Sequence, residues 1–442
     1  MIDTALRERE SNGHPVRVAM IGAGATGRAI ALQLGTPLPG IRLVAIANRT
    51  ISNGERAFRE AGILNWTYVS SAKEAEAAIS RGSYVLTDDP QALTSCDAID
   101  MIVEVTGSVE PATRVVLHAF EHGKSVVLVN AELDSFIGPI LKTKADQAGV
   151  VLTHTDGDEP GVAMTLLRYL LTCGLRPVAA GNLKGMVDYY RNPDTQKAFA
   201  QKNEQDVKKV TSFADSTKLS MEATVLANAT GFRVGKRGMY GPACKEVREM
   251  AKLLPADQML STGLVDYALG ASPYTGAFVI VHEDSPLKKT QLAYYKLGDG
   301  PFFVFYTPFH LPHIQIASTI GRAAILHDPT VAPIGGPVCE VLAVAKRDLR
   351  AGERLDGVGG FCTYGLVENS DTSRANSALP VALSDNCLLV RDVPKDQALT
   401  FADVVLPTGL LVENLWREQM ARWSAGSLGS VQSSKAAHLA SR

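Results

Sequence analysis

The chain has 442 residues, 46% of them apolar and 20% charged, and a formal net charge of −2. That length calls for two or three domains, the composition is that of an ordinary soluble globular protein, and the charge offers no basic surface for nucleic acid. No apolar run reaches membrane-span length, and the N-terminal stretch MIDTALRERESNG lacks a signal-peptide core. The six cysteines form no CxxC pair that would suggest zinc or a disulfide framework, so reduced cytoplasm is the expected compartment.

Residues 1–15 read as a short helix or arm. Val16 to Ile21 is an apolar run of strand length, broken by Gly22-Ala23-Gly24-Ala25-Thr26-Gly27 and resumed with helical spacing through Ile30, Ala31 and Leu34. A second apolar run, Ile41 to Ala47, reads as the next strand. Strand, glycine turn, helix and strand together form a dinucleotide-binding unit. Gly22 permits the turn, Gly24 lets a pyrophosphate approach the backbone, and Gly27 lets the helix pack on the strand. The helix start at Ala25 and Thr26 then offers N–H groups to that pyrophosphate. NAD enzymes usually end the second strand on an acidic residue that bonds the ribose. Here Asn48-Arg49-Thr50 stands there, and Arg49 suits a 2′-phosphate through a charge-assisted fork. NADPH is the expected cofactor.

Further along, Ser52–Ala61 and Ser71–Ile79 have helical composition, while Tyr84–Thr87 and Ile99–Val105 read as strands. Thr106-Gly107-Ser108 and then Glu110-Pro111 mark a helix start, and Ala112–Glu121 continues as that helix. Ser125–Asn130 and Gly149–Thr155 complete the strands. Such alternation predicts an α/β fold with a doubly wound parallel sheet, and reacting groups collect at the carboxyl ends of its strands. Thr106, Gly107, Asn130, Glu132, Asp156, Asp158 and Glu159 are placed there. The four acidic residues are hard oxygen donors suited to magnesium or manganese, although Asp-Gly-Asp-Glu-Pro is equally an ordinary turn. No ligand set is assigned.

HGKSVVLVNAELD (122–134) followed by HTDGDEPG (154–161) resembles the nucleotide domain of homoserine dehydrogenases and the start of their substrate domain. Those enzymes carry a catalytic lysine after the strand in an Asn-Lys pair, whereas this chain has Asn130-Ala131-Glu132. The blocks at 181–185 (GNLKG), 188–200 (DYYRNPDTQKAFA), 211–232 (TSFADSTKLSMEATVLANATGF) and 233–237 (RVGKR) narrow the likeness. They resemble the homoserine-dehydrogenase-like family with an appended SAF-type domain, which includes deoxyxylulose 5-phosphate reductoisomerase-like enzymes of isoprenoid synthesis. The likeness covers roughly residues 16–420.

The resemblance implies a Rossmann domain over 16–155, an α+β substrate domain over 156–327 with 314–326 packing back on the first, and a small β-rich SAF-like domain over 338–420. The tail 424–442, rich in Ser, Ala and Gly, is expected to be disordered. The activity implied is NADPH-dependent reduction and isomerisation of deoxyxylulose 5-phosphate. Oxidation of a sugar acid or polyol product, or a homoserine-dehydrogenase-like reaction, keeps the same motifs.

For that chemistry Lys184, on a glycine-flanked turn, is a candidate oxyanion stabiliser or acid–base group. Asp215 and Lys218, three apart, fit a proton-handling pair or an ordinary surface ion pair. Arg191, Lys197, Arg233, Lys236 and Arg237 are candidates for a phosphate or carboxylate, and equally for a solvated charged face. His310 and His313, between prolines, line the site or fill a junction. A small-molecule sugar phosphate or sugar acid is the expected partner, without nucleic acid or membrane, and a homodimer is expected from class and size.

Overall fold

A computed structural model describes residues 2–424; the tail expected to be disordered lies, from 425 onward, outside the described residues. The chain divides into two compact units. The first comprises residues up to 134, 141–162 and 310–332, and the second 135–140, 163–309 and the described residues from 333 onward.

In the first, strands β1 (Val16–Ile21), β2 (Ile41–Ala47), β3 (Trp66–Tyr68), β4 (Tyr84–Thr87), β5 (Met101–Glu104), β6 (Ser125–Leu128) and β7 (Leu152–His154) form one parallel sheet of order β3-β4-β2-β1-β5-β6-β7. Helices α1 (Ile2–Ser11), α2 (Ala25–Gly35), α3 (Ile51–Glu60), α4 (Ala72–Ser80), α5 (Pro90–Thr94) and α6 (Glu110–Glu121) accompany it, while α7 (Ala131–Ala148) and α8 (Glu159–Thr172) begin in this unit and have residues in both. The expected doubly wound α/β sheet is therefore present. Its strands are apolar on both faces because helices cover both. Met20, Ile46, Val103 and Val127 are buried with Ile30, Ala31 and Leu34 of α2, the three residues that carried the helical spacing, and with Ile316 and Ile320 of the helix Pro312–Gly321. The short strand β3 escaped the sequence reading. It is an edge strand with Thr67 and Tyr68 exposed, so no apolar run marks it.

The turn after β7 is held by a buried charge. The His154 side chain is fully buried between two carboxylates: Nε2 lies 2.8 Å from Asp158 Oδ2, and Nδ1 lies 3.1 Å from Asp134 Oδ2, off the line of a hydrogen bond. Burial alone would depress the imidazole, but the two close aspartates, Asp158 by its hydrogen bond and both by their charge, outweigh it and hold its pKa up at about 9. The pair ties the first turn of α7 to β7 and to the entry of α8.

The second unit is built on a four-stranded sheet of β8 (Arg176–Lys184), β9 (Leu264–Leu269), β10 (Ala277–His282) and β11 (Phe302–Thr307), in the order β11-β10-β8-β9. Only β8 and β9 run parallel. After β8 come helices α9 (Pro193–Lys202), α10 (Val207–Ala214) and α11 (Thr217–Thr230). Of α11, only Lys218 and Thr230 are not buried, so it is the central helix of the unit. Strands β12 (Cys339–Ala345) and β13 (Thr363–Asn369) pair antiparallel and pack on it. The C-terminal region otherwise holds the helices Ser370–Ala375 and Leu411–Arg422, short 3-10 turns, single bridges and the paired two-residue strands Leu388–Leu389 and Val404–Val405.

Two stability predictions follow from these cores. A folded-state pKa raised from 6.5 to about 9 gives stability that is fully present below pH 6.5 and is lost as pH rises toward 9. Urea unfolding should therefore show a decline of roughly 3 kcal/mol across that window, and His154→Gln should flatten it. At Gly181 a Cβ would overlap the carbonyl oxygen of Asp266 on the neighbouring strand. Gly181→Ala should cost about 3 kcal/mol in the same measurement, with the far-ultraviolet circular dichroism of the folded fraction unchanged.

Candidate functional site

In the first unit the winding reverses between β1 and β5, and the glycine turn sits there. Gly22 has φ +109°, which favours glycine, and a Cβ on it would lie 3.0 Å from Thr106 N. A Cβ on Gly27 would lie 2.5 Å from Gly22 O. Above Gly24 nothing stands within 4 Å of an added Cβ, so there is space for a phosphate to approach the backbone. Helix α2 starts from Gly24 with no side-chain cap, leaving its first N–H groups, at Ala25 and Thr26, for an anion. Asn48 braces this turn: Oδ1 accepts from Ala23 N at 2.9 Å and Nδ2 donates to Thr50 O at 2.7 Å. Arg49 is exposed and makes no ion pair among the described residues.

One residue of this region was not singled out from the sequence. Glu104, the last of β5, is fully buried. One carboxylate oxygen accepts from Thr106 N (2.8 Å) and Thr106 Oγ1, the other from Asn130 Nδ2 (2.8 Å). Asn130 also donates to Ser108 O and caps α7 by accepting from Leu133 N. Burial raises the Glu104 pKa, and the bonds from Thr106 and Asn130 pull it back. Thr106, Gly107 and Asn130 are thus shaped by a carboxylate beneath them. An acidic residue in the otherwise apolar run IDMIVEV was the available signal.

In the second unit the polar side chains converge on Glu222, itself 2% exposed. Asn182 Nδ2 donates to Oε2 at 2.7 Å, Lys184 Nζ lies 3.4 Å from Oε2, and Lys218 Nζ lies 4.0 Å from Oε1. Local geometry explains the meeting. Asn182 and Lys184 are two apart on β8 and share a face, whereas Lys218 and Glu222 are four apart on α11. Two ammonium groups, 17% and 12% exposed, thus lie around one buried carboxylate in a largely dry place. That suits a developing oxyanion and its proton.

Asp215 and Lys218 do not pair with each other. Asp215 precedes α11, with Ser216 between them and the helix in a left-handed conformation (φ +75°), so three-residue spacing here is not helical spacing. The fully buried Asp215 Oδ2 instead accepts from Lys346 Nζ at 2.8 Å. Burial raises its pKa, opposed by Lys346 and Thr217.

The candidate anion-binding cations do not form one cluster. Arg233 makes two 2.7 Å bonds to Asp371, Arg237 pairs with Glu368 at 3.0 Å, Arg191 pairs with Asp188 at 3.0 Å, and Lys236 stands 5.4 Å over the Tyr240 ring. Lys197 is exposed on α9. The glycines around the basic turn serve packing: a Cβ at Gly235 or Gly241 would strike Tyr240 or Tyr267. In the first unit His310 Nδ1 lies 3.8 Å from Glu159 Oε1. Asp156 accepts from Gly157 N and Gln315, Asp158 faces His154, and Glu132 is buried near Glu104.

Residues 22–150 match the family model described as homoserine dehydrogenase, NAD binding domain, and residues 157–316 match oxidoreductase DRL, catalytic domain. Over 49 residues the chain is 47% identical to homoserine dehydrogenases of Mycobacterium tuberculosis and Mycobacterium bovis, a stretch spanning 11% of either partner. The matched part is thus a small fraction of those relatives' length. Among solved structures it is similar to a homoserine dehydrogenase from Thiobacillus denitrificans (17% identity, 87% of this chain and 97% of that one, TM-score 0.42). It is also similar to a myo-inositol dehydrogenase from Lactobacillus casei in complex with NAD(H) and myo-inositol (13% identity, 73% and 89%, TM-score 0.41). By its matched regions, the chain carries a nicotinamide-dinucleotide-binding domain followed by an oxidoreductase catalytic domain.

Proposed function

We propose that the chain is an NADPH-dependent oxidoreductase acting on a CH–OH or carbonyl carbon of a small sugar-derived substrate. The observation that carries this reading is the convergence of Lys184 and Lys218 on the buried Glu222, on a chain whose first unit has an open glycine cradle. The dinucleotide, when bound, supplies or accepts hydride. Gly22, Gly24 and Gly27 give it room, the start of α2 meets its pyrophosphate, and Arg49 meets its 2′-phosphate. Lys184 and Lys218 stabilise an alkoxide or polarise a carbonyl, while Glu222, held by Asn182, keeps the two ammonium groups together and shares their protons.

Two finer readings divide the substrate. The resemblance carried by residues 181–237 favours reductoisomerisation of 1-deoxy-D-xylulose 5-phosphate to 2-C-methyl-D-erythritol 4-phosphate, with a divalent metal. The partnering of Arg233, Arg237 and Arg191 with acids of the same chain leaves few cations preset for a phosphate or a carboxylate, and so favours an uncharged substrate, that is, a polyol dehydrogenase. Following reduced nicotinamide optically separates them. One arm supplies deoxyxylulose 5-phosphate, magnesium and NADPH; the other supplies NADP⁺ with a panel of sugar acids and polyols. Failure of both arms in protein that binds neither NADPH nor NADH would overturn the oxidoreductase reading.

Two substitutions probe the parts. Arg49→Ala should weaken NADPH binding roughly ten- to a hundredfold while leaving NADH binding unchanged, as read by nucleotide fluorescence titration. Lys184→Ala should lower kcat roughly 10²- to 10⁴-fold at unchanged NADPH affinity, and wild-type turnover in that variant would remove Lys184 from the chemistry.

A further inference from the structure

The C-terminal β region shares one compact unit with the Lys184–Lys218–Glu222 cluster, and its contacts with α11 are specific. Lys346, one residue beyond β12, is 5% exposed. Its ammonium group donates to Arg191 O at 2.7 Å, Asp215 Oδ2 at 2.8 Å and Gly360 O at 2.8 Å. A lysine has three N–H bonds to give, and here each is used on a different segment. One is the 188–192 loop, one the junction between α10 and α11, and one the turn leading into β13.

Gly365 of β13 completes the hold. Its carbonyl accepts from Ser216 Oγ (2.9 Å) and Ser220 Oγ (3.0 Å), and its N–H donates to Thr217 Oγ1 (2.8 Å). A Cβ at Gly365 would lie 2.8 Å from Val341 Cγ1 and 2.9 Å from Thr217 Cγ2, so strand and helix touch closely. The 188–192 loop is gripped as well. Tyr189 stacks on Tyr364 at 5.0 Å, and the hydroxyls of Tyr190 and Tyr364 donate to the two oxygens of Asp396 at 2.9 and 3.0 Å.

We propose that Lys346 is a positioning residue. Through Asp215 it fixes the start of α11, and so sets where Lys218 and Glu222 stand relative to Asn182 and Lys184 on β8. The C-terminal β region is then a fixed template for the acid–base cluster and not a lid that opens. A buried ion pair so fully hydrogen-bonded costs much to break on one side and little to replace on both. The proposal rests on reading Lys218 and Glu222 as acid–base groups, and its test is separable from that reading.

The experiment compares the full chain with Lys346→Met/Asp215→Asn, which removes both charges, and with Lys346→Arg, which keeps a cation but not the three-way geometry. The readouts are NADPH affinity, the titration midpoint of Lys218 by NMR of reductively ¹³C-methylated protein (assigned with Lys218→Arg), and the split between kcat and KM. In either folded variant, unchanged NADPH affinity with a Lys218 midpoint lowered by about one unit, and a kcat at least tenfold lower with KM within about threefold, would support positioning. A Lys218 midpoint and kcat both at wild-type values in a folded variant would overturn it. Absence of turnover in the wild-type chain would count against the oxidoreductase reading alone, since the midpoint comparison needs no substrate.

Discussion

A carboxylate taken out of water must recover its hydration from neighbours, and in the second unit this requirement governs how the sheet meets its central helix. Glu222 lies in a helix of which nearly every residue is buried. Asn182 supplies a hydrogen bond and Lys184 and Lys218 supply charge. Strand β8 and helix α11 must therefore pack in the register that brings these four together. The lysines, in turn, are kept close to one another by a charge that offsets their repulsion. The same arrangement that makes the core tolerable makes it chemically useful.

Several other polar groups of α11 are answered by the C-terminal region. Thr217 and Ser220 meet Gly365, and Asn228 Oδ1 accepts from the backbone N–H groups of Val338 and Cys339. A helix buried all round needs partners on every side. Strands β12 and β13 provide apolar cover and backbone hydrogen bonds together, which is why this β region, whose own sheets are only two-stranded, shares a compact unit with the sheet of β8–β11. Basic residues of the turn at 233–237 are drawn into the same join through Asp371 and Glu368.

The first unit follows another logic. Its nucleotide cradle depends on the absence of side chains: Gly22 and Gly27 are places where a Cβ would collide with backbone. The polar groups around the cradle are braced from below by Asn48 and by the buried Glu104. Such a site is preorganised before any ligand arrives, because its shape is set by backbone turns and short hydrogen bonds.

Local pattern was enough for everything that is local. The apolar runs Val16–Ile21, Ile41–Ala47 and Tyr84–Thr87 are strands with those bounds, the helical spacing of Ile30, Ala31 and Leu34 marks the buried face of α2, and the glycine turn lies where strand passes to helix. These features obey rules of period and backbone freedom that the chain states residue by residue. Lys184 was visible as a type, although it ends strand β8 and does not sit on a turn, and its partner Glu222 was not, because a glutamate inside STKLSMEATV looks like any helical surface residue until β8 is laid against it. Asp215 and Lys218 looked like neighbours in sequence and were separated by a left-handed residue at 216. The basic turn looked like an anion site, yet its charges are met by acids more than 130 positions away. Sequence by itself determined the long strands, several helices and the glycine turn of the first unit, where pattern is local. Only the tertiary structure decided which charges neutralise one another, because burial is what forces a charge to choose a partner and burial is a property of the packed chain.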